Sequence, residues 1–139
     1  MNTKLNDVIE EIERLSNGQR NDVDLPDDEL ISQYEKEIGF EFSNDYKEVL
    51  KKISNIFYGT IDLLSVTRDK KYYGELSQAL SDAREQGLPE NLLPICEDNG
   101  SYYCIDYDGK IKYWTLDGYN EESWPDLASW IKQVWIEGN

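Results

Sequence analysis

The stretch Leu92–Thr115, with the sequence LLPICEDNGSYYCIDYDGKIKYWT, decides the fold. Asn99-Gly100 and Asp108-Gly109 both lie between runs of apolar and aromatic residues, and each dipeptide accepts the positive φ angles of a type I′ turn. The stretch therefore predicts a three-stranded antiparallel meander. The predicted strands are Leu92–Glu97, Ser101–Asp106 and Lys110–Thr115.

Two-residue turns also predict which side chains share a face of the sheet, because strand side chains alternate between faces. One predicted face carries Leu93, Ile95, Tyr102, Cys104, Ile111 and Tyr113. The other predicted face carries Cys96, Tyr103, Ile105, Lys112 and Trp114. This register puts Tyr103 and Trp114 together and points the two cysteines to opposite faces, so we expect buried free thiols instead of a disulfide.

Helical patterns surround the meander. An N-terminal helix is predicted within residues 1–18, a second helix from Pro26, a third helix after Ser43 as N-cap, a fourth over 69–86 and a last one near 125–137. Ile56–Tyr58 and Ile61–Val66 are typical of strands, and Leu116–Ser123 of a polar loop. The pattern predicts an α+β fold of one domain over residues 1–139. Its antiparallel sheet has four or more strands, packed with N-terminal and C-terminal helices.

Composition restricts the possible functions. The 139-residue chain has a formal net charge of −15 and no histidine, so it lacks the commonest general base and metal ligand. The surface should repel nucleic acid and anionic membranes and attract a basic protein, although acidity also serves solubility alone. No apolar run is long enough for a membrane span and no signal segment is present, so we expect a cytoplasmic protein. These features do not determine the oligomeric state, for which a monomer is favoured.

Candidate catalytic and metal sites are weak. The run that starts at Asp106 begins like a calcium loop, but the fifth position is Lys110 and the twelfth is Asp117 in place of Glu. Carboxylate pairs are frequent by chance among 29 acidic residues, and none lies beside a nucleophile or a phosphate loop. We therefore predict no catalytic, cofactor or metal site, and a carboxylate-based hydrolase is the least favoured hypothesis.

Two stretches resemble a known family. The first runs from Leu25-Pro26 to Gly39-Phe40-Glu41-Phe42-Ser43-Asn44-Asp45-Tyr46-Lys47. The second contains Leu92-Leu93-Pro94-Ile95-Cys96, Tyr103-Cys104-Ile105-Asp106, Gly109-Lys110 and Trp114. Over residues 25–131 the chain resembles the SUKH superfamily, which includes yeast cell-wall regulators of the Smi/Knr type and many bacterial immunity proteins.

The resemblance implies a protein that binds and neutralises a toxin in bacterial competition, as such antitoxin-like immunity proteins do. A nuclease toxin would present a cationic cleft that an acidic surface complements. The alternative is a regulatory module for protein–protein interaction in cell-wall synthesis or signalling. The expected partner-binding residues, with Tyr103 and Trp114 as aromatic anchors, are Glu97, Asp98, Tyr103, Asp106, Asp108, Trp114, Asp117, Tyr119, Glu121 and Glu122. The alternative to a binding surface is a purely structural role, in which helices bury both faces of the sheet and the acidic loops are only solvated.

Overall fold

A computed structural model describes residues 3–71, 74–115 and 117–138 of the chain. Within these ranges, the elements in chain order are α1 (Thr3–Leu15), α2 (Asp28–Ile38), α3 (Asn44–Ile53), α4 (Leu76–Glu85), β1 (Leu93–Asp98), β2 (Ser101–Ile105), β3 (Ile111–Thr115), β4 (Gly118–Trp124), α5 (Leu127–Trp130) and a π-helical segment, Ile131–Ile136. The strands form one antiparallel sheet in the order β1-β2-β3-β4. The predicted α+β class is confirmed.

Helices α2 and α3 begin where side chains cap them. The Asp27 carboxylate accepts a hydrogen bond from the Leu30 amide at 2.9 Å and caps α2. Ser43 caps α3 as predicted, because its hydroxyl accepts from the Tyr46 amide at 3.1 Å. Gly39 ends α2 with a φ of 77°. These caps satisfy amide groups that the first helical turn leaves without a partner.

The first hairpin has the predicted turn. Asn99 and Gly100 have φ angles of 51° and 88°, and Asp98 pairs with Ser101. Cys96 lies opposite Tyr103 as predicted, whereas an irregularity between Pro94 and Cys96 places Cys104 opposite Pro94 instead of Ile95. Both cysteines are buried and free, and their cross-strand partners place them on opposite faces, which confirms the expectation.

The second hairpin differs from its prediction. Its loop has three residues, Tyr107, Asp108 and Gly109, because the Asp106 amide donates to the Lys110 carbonyl at 3.0 Å. The Asp106 carboxylate accepts from the Asp108 and Lys110 amides at 2.9 and 3.0 Å, and Gly109 has a φ of 86°. A type I turn that ends in a left-handed residue is a common alternative to a two-residue loop.

The longer loop moves the register of β2 and β3 by one residue. Tyr103 pairs with Tyr113, and Tyr102 pairs with Trp114. Since cross-strand partners share a face, the prediction that Tyr103 and Trp114 lie together is wrong. We call the two sides of the sheet the Tyr103 face and the Trp114 face.

Three other predicted elements also differ. The polar loop predicted at Leu116–Ser123 contains strand β4, because pairing with β3 overrides the low strand propensity of asparagine and glutamate. Leu116 lies outside the described residues. The strands predicted at Ile56–Tyr58 and Ile61–Val66 form only isolated bridges, including one between Leu63 and Cys96 beside β1.

The helices predicted over 69–86 and near 125–137 also differ in their bounds or type from the observed ones. The helix predicted over 69–86 is described only as α4, and Tyr72 and Tyr73 of its predicted stripe lie outside the described residues. At the C-terminus, an α-helical turn capped by Asp126 continues as the π-helical segment.

Helices pack on both faces of the sheet. On the Tyr103 face, the ring of Tyr103 lies 5.3 Å from that of Trp130 in α5, which is fully buried. Helix α1 packs against α3, α5 and the π-helical segment, whereas α4 packs against β1. The sheet is thus the middle layer, and a partner can contact it only where these helices leave side chains uncovered.

A buried polar network holds the segment between α3 and α4. The Tyr34 hydroxyl donates to the carboxylate of Glu75, which is 1% exposed. The Thr67 amide donates to the same hydroxyl at 3.0 Å, and the Glu75 carboxylate also accepts from the Gln78 amide at 2.9 Å. A buried carboxylate without such donors would cost several kcal/mol, so the network fixes Thr67 relative to α2 and α4.

The left-handed backbone of Gly109 leads to a prediction about stability. A Cβ at Gly109 would meet no atom within 4 Å, so Gly109→Ala should cost only the backbone strain of a positive φ, about 1 kcal/mol. Gly109→Asn should cost less, because asparagine tolerates this region better. Urea unfolding measures both free energies. Equal losses for the two variants would contradict the assigned turn.

The buried thiols predict how stability depends on pH. Burial raises the pKa of Cys96 from 9.0 to about 12 and raises that of Cys104 as well. Unfolded thiols ionise near pH 9 while the folded ones keep their protons, so the free energy of unfolding should fall as pH rises above 9. Each thiol contributes a slope of up to about 1.4 kcal/mol per pH unit.

Urea unfolding at pH 8, 9 and 10 measures this slope. The double variant Cys96→Ala/Cys104→Ala removes both thiols and should show a clearly smaller loss of stability over the same range. Buried tyrosines titrate with the same sign and remain in both proteins, so the difference between the two slopes isolates the thiols. Identical slopes would show that the thiols are not protected in the folded state.

Candidate functional site: an acidic tyrosine patch on the sheet

Two paired tyrosines occupy the Tyr103 face at the middle of strands β2 and β3. Tyr103 and Tyr113 are both half-buried, and their ring centroids are 4.8 Å apart with an interplanar angle of 50°. Tyr103 also contacts the rings of Trp124 and Trp130, at 5.7 and 5.3 Å. The tryptophans form a buried base, so Tyr103 is held in place while part of its surface stays open to a partner.

Two carboxylates lie beside the tyrosines. The Tyr113 hydroxyl donates to the Asp98 carboxylate at 2.9 Å, across the end of the sheet. Glu122 on β4 is exposed and close enough to act electrostatically on both phenols. Together, Asp98, Tyr103, Tyr113 and Glu122 form what we call the tyrosine patch.

The environment of the patch keeps both phenols protonated. Burial, followed by the charge of Asp98, raises the pKa of Tyr103 to about 12. Burial is also the largest cause of the raised pKa of Tyr113, and its hydrogen bond to Asp98 acts in the same direction. The patch therefore presents neutral aromatic rings beside negative carboxylates, an arrangement that suits a cationic side chain.

Trp114 does not belong to this surface. It is 4% exposed and lies on the Trp114 face, where its ring is 6.3 Å from that of Tyr102. Because the observed register differs from the predicted one by one residue, Trp114 lies on the opposite face from Tyr103. The prediction that Trp114 is a second anchor beside Tyr103 is therefore wrong, and Trp114 is part of the core. Glu97 pairs with Tyr102 and shares that face, but its side chain is exposed.

The other predicted contact residues divide between the two ends of the sheet. Asp106 and Asp108 lie at the turn between β2 and β3, and Asp106 is three residues, or roughly 10 Å, along the chain from Tyr103. The Asp106 carboxylate is occupied by the turn and lies 3.7 Å from the Lys112 ammonium. Asp108 and Asp117 are exposed, and Asp117 follows β3 at the same end as the patch.

Tyr119 and Glu121 fall on strand β4, where the backbone is described. Tyr119 pairs with Trp114 across β3 and β4. The side chains of both residues lie outside the described part of the structure, so their part in a contact surface stays a prediction.

Sequence reasoning missed two tyrosines. The predicted two-residue turn places Tyr113 on the face opposite to Tyr103. A predicted three-residue loop at Asp108-Gly109 would instead place Tyr113 beside Tyr103, as the structure does. Tyr107 is 65% exposed, and its ring stacks at 4.9 Å on the buried ring of Phe40. The Gly-Phe-x-Phe segment and the hairpin turn carry no signal that they meet, because their contact depends on tertiary packing.

Four aspartates around the start of α2, namely Asp22, Asp24, Asp27 and Asp28, form an acidic cluster with a partly structural role. Asp27 caps α2 and pairs with Arg68 at 2.9 Å, and Asp28 pairs with Lys51 at 3.0 Å. The backbone hydrogen bond from Leu30 is the main cause that lowers the pKa of Asp27. Asp22 and Asp24 are exposed in the preceding segment and are not explained by the cap.

A metal centre and a membrane-spanning helix are two other features on which a function could depend. Among residues 3–71, 74–115 and 117–138, no group of three or more His, Cys, Asp or Glu side chains could hold a metal ion. Over the same ranges, no helix is long and apolar enough to cross a membrane. The candidate site is therefore the tyrosine patch, a surface of aromatic rings and carboxylates.

Comparisons with known proteins identify relatives. One solved structure, titled "Crystal structure of protein from Pseudomonas syringae pv. tomato", superposes with a TM-score of 0.86 at 29% sequence identity, and the match covers 95% of this chain and 98% of that one. A search of curated proteins gave no match.

A family model described as "SMI1-KNR4 cell-wall" (SUKH_5) matches residues 5–136. This range extends beyond the predicted core of 25–131 at both ends and covers nearly the whole chain. The family includes immunity proteins and SMI1/KNR4-like proteins and is generally a non-catalytic binding module, which suggests protein–protein interaction. The chain belongs to the SMI1-KNR4 (SUKH) family.

Proposed function

We propose that this protein is an immunity protein that binds a cognate bacterial toxin domain through the tyrosine patch and thereby blocks it. The observation that carries the proposal is the placement of Asp98 and Glu122 beside two half-exposed, firmly packed tyrosines. Family membership supports a binding role, since immunity proteins are among the members.

The chemistry of the patch favours a basic partner. Residues 85–139 hold 11 acidic and 3 basic residues, a net charge of −8, and this part of the chain contains the whole sheet. An arginine that approaches the patch would stack on a tyrosine ring and donate to a carboxylate at the same time. A nuclease toxin fits best, because its active site attracts phosphates with positive charge and an acidic protein competes for that site.

Rigid aromatic anchors make such a surface efficient. Binding orders side chains, and each flexible side chain that is immobilised costs about 0.5–1.5 kcal/mol. Tyr103 is already held by Trp124 and Trp130, and Tyr113 is held by Asp98. The free protein therefore carries its anchors close to the bound arrangement, which is the property expected of interface hot spots.

A regulatory interaction module is the second candidate, and the SMI1-KNR4 cell-wall description of the matching model favours it. Such a module would dock onto an intracellular partner in cell-wall synthesis or signalling. Its gene need not lie beside a toxin gene. Genomic position therefore discriminates between the two functions without any assumption about the binding surface.

Co-expression tests the immunity function. The toxin domain encoded beside the gene for this chain should stop growth when it is produced alone, and this protein should restore growth when both are produced. Restoration requires a stable complex, which size-exclusion chromatography detects. A harmless neighbour, or one that kills equally in the presence of this protein, would reject the immunity role and leave the regulatory module.

Charge variants test the tyrosine patch. The double variant Asp98→Asn/Glu122→Gln removes two charges next to the tyrosines and should weaken binding of that toxin at least tenfold, or about 1.4 kcal/mol. The control Glu10→Gln/Glu41→Gln removes two exposed charges elsewhere and matches the change in net charge. Isothermal titration calorimetry at 0.05 and 0.3 M salt measures both.

The control should change the dissociation constant less than threefold, because distant charges are screened over about 10 Å at 0.1 M salt. The double variant should also show the smaller salt dependence. Circular dichroism confirms that both variants are folded. Equal effects of the two variants would mean that overall charge, and not the tyrosine patch, determines binding.

A further inference from the structure

A cleft separate from the sheet lies between residues 20–25 and 66–71. It has a volume of about 740 Å³, within the range of about 300–1,000 Å³ typical of binding pockets. Leu30 and Val66 are buried in its lining, whereas Phe57 and Leu25 are 42% and 37% exposed. Exposed apolar side chains that meet in one concave site indicate a docking surface more strongly than scattered ones do.

The first wall of the cleft is fixed by Asn55, which is 7% exposed. Its carbonyl oxygen accepts from the Asn21 amide at 2.8 Å, and its side-chain amide donates to the Val23 carbonyl at 2.8 Å. The Phe57 amide donates to the Gln19 carbonyl at 3.0 Å. This wall is therefore tied to the end of α3 and is already formed in the free protein.

The opposite wall is fixed by the buried network described above. The Thr67 amide donates to the Tyr34 hydroxyl at 3.0 Å, which holds the backbone at this point of the lining. Arg68 pairs with the helix cap Asp27 at 2.9 Å. Because both walls are held by hydrogen bonds to other elements, a ligand would not have to order them.

The cations of the cleft are largely neutralised by neighbours. Arg20 lies 2.6 Å from the Asn55 side-chain oxygen and 3.5 Å from Glu13, and Arg68 is paired with Asp27. Asp22 and Asp24 are exposed at the first wall, and no ion pair to either is found among the described residues. Lys71 and Asp69 on the other wall carry opposite charges. The lining itself holds three basic and three acidic side chains, but with Glu13 and Asp27, which pair with Arg20 and Arg68 from outside it, the local charge is −2.

We propose that this cleft binds an extended segment of a partner protein that places one large apolar side chain on Phe57 and Leu25 and a lysine or arginine beside Asp22 and Asp24. The apolar floor selects the anchor, and the carboxylates select the flanking charge. A second copy of this chain is a poor occupant, because it would bring a net charge of −15 to an acidic cleft. The proposal does not require that the tyrosine patch binds a toxin.

A defined peptide tests the proposal. The probe is the acetylated and amidated pentapeptide Gly-Lys-Phe-Lys-Gly, titrated to several millimolar into the ¹⁵N-labelled full chain while amide shifts are followed by NMR. Shifts should concentrate in residues 20–25, 57 and 66–71. Two matched peptides, with glutamate in place of both lysines or serine in place of phenylalanine, should bind at least fivefold more weakly.

Variants of the protein locate the site. Phe57→Ser and Asp22→Asn/Asp24→Asn should each weaken binding of the probe at least fivefold, and the exposure of these side chains makes the folded state tolerant of the changes. Tyr107→Ser and Glu10→Gln/Glu41→Gln are the matched controls and should bind the probe as the unaltered protein does. Thermal unfolding verifies that all variants are folded.

Three outcomes would overturn the proposal. The first is an absence of shifts at millimolar peptide. The second is a set of shifts centred on the tyrosine patch or spread over the acidic helices, which would mean nonspecific attraction to the protein. The third is binding at the cleft that the Phe57 and Asp22/Asp24 variants leave unchanged, because the recognising side chains would then be others.

Discussion

The carboxylate of Asp106 and the positive φ of Gly109 together define the surface of the sheet. Two amides of the same turn donate to this carboxylate, which gives a three-residue loop and fixes how β2 and β3 pair. A shift of one residue would exchange the faces of every side chain on β3. Tyr113 lies beside Tyr103, and Trp114 is in the core, because of this one turn. The composition of the candidate site thus depends on local backbone chemistry at the far end of the hairpin.

The acidic side chains that give the net charge of −15 have different roles in different parts of the molecule. Near the N-terminal helices, acids cap α2 or pair with lysines, as in Asp28 with Lys51 and Glu48 with Lys52. Such pairs are exposed and contribute little to stability. In the C-terminal part, Asp98 and Glu122 lie beside rings that keep their protons. A partner therefore meets carboxylates beside protonated phenols at the sheet, whereas residues 1–50, with 14 acidic and 5 basic residues, carry a net charge of −9 that helix caps and ion pairs use only in part.

Some elements of the fold can be predicted from the sequence and others cannot, and the difference has physical reasons. The Asn99-Gly100 turn, the Ser43 cap and the burial of both thiols follow from local preferences that tertiary packing supports. The length of the loop at Asp108-Gly109 cannot be predicted from local preferences, because the same dipeptide occurs in loops of two and of three residues. Strand β4 was missed because the glycine, asparagine and glutamates in it have low strand propensity and owe their conformation to pairing with β3. Likewise, no local signal shows that Phe57 stays exposed while Phe40 is buried.

Strand β4 lies at one edge of the sheet, and it carries the neighbouring acids Glu121 and Glu122. An edge strand offers free backbone groups to any other strand, which is the usual route to uncontrolled self-association. Two copies that aligned these edges would bring their glutamates together, and the repulsion would oppose ladder formation. We therefore expect the acidic edge of β4 to protect the protein against strand-to-strand aggregation.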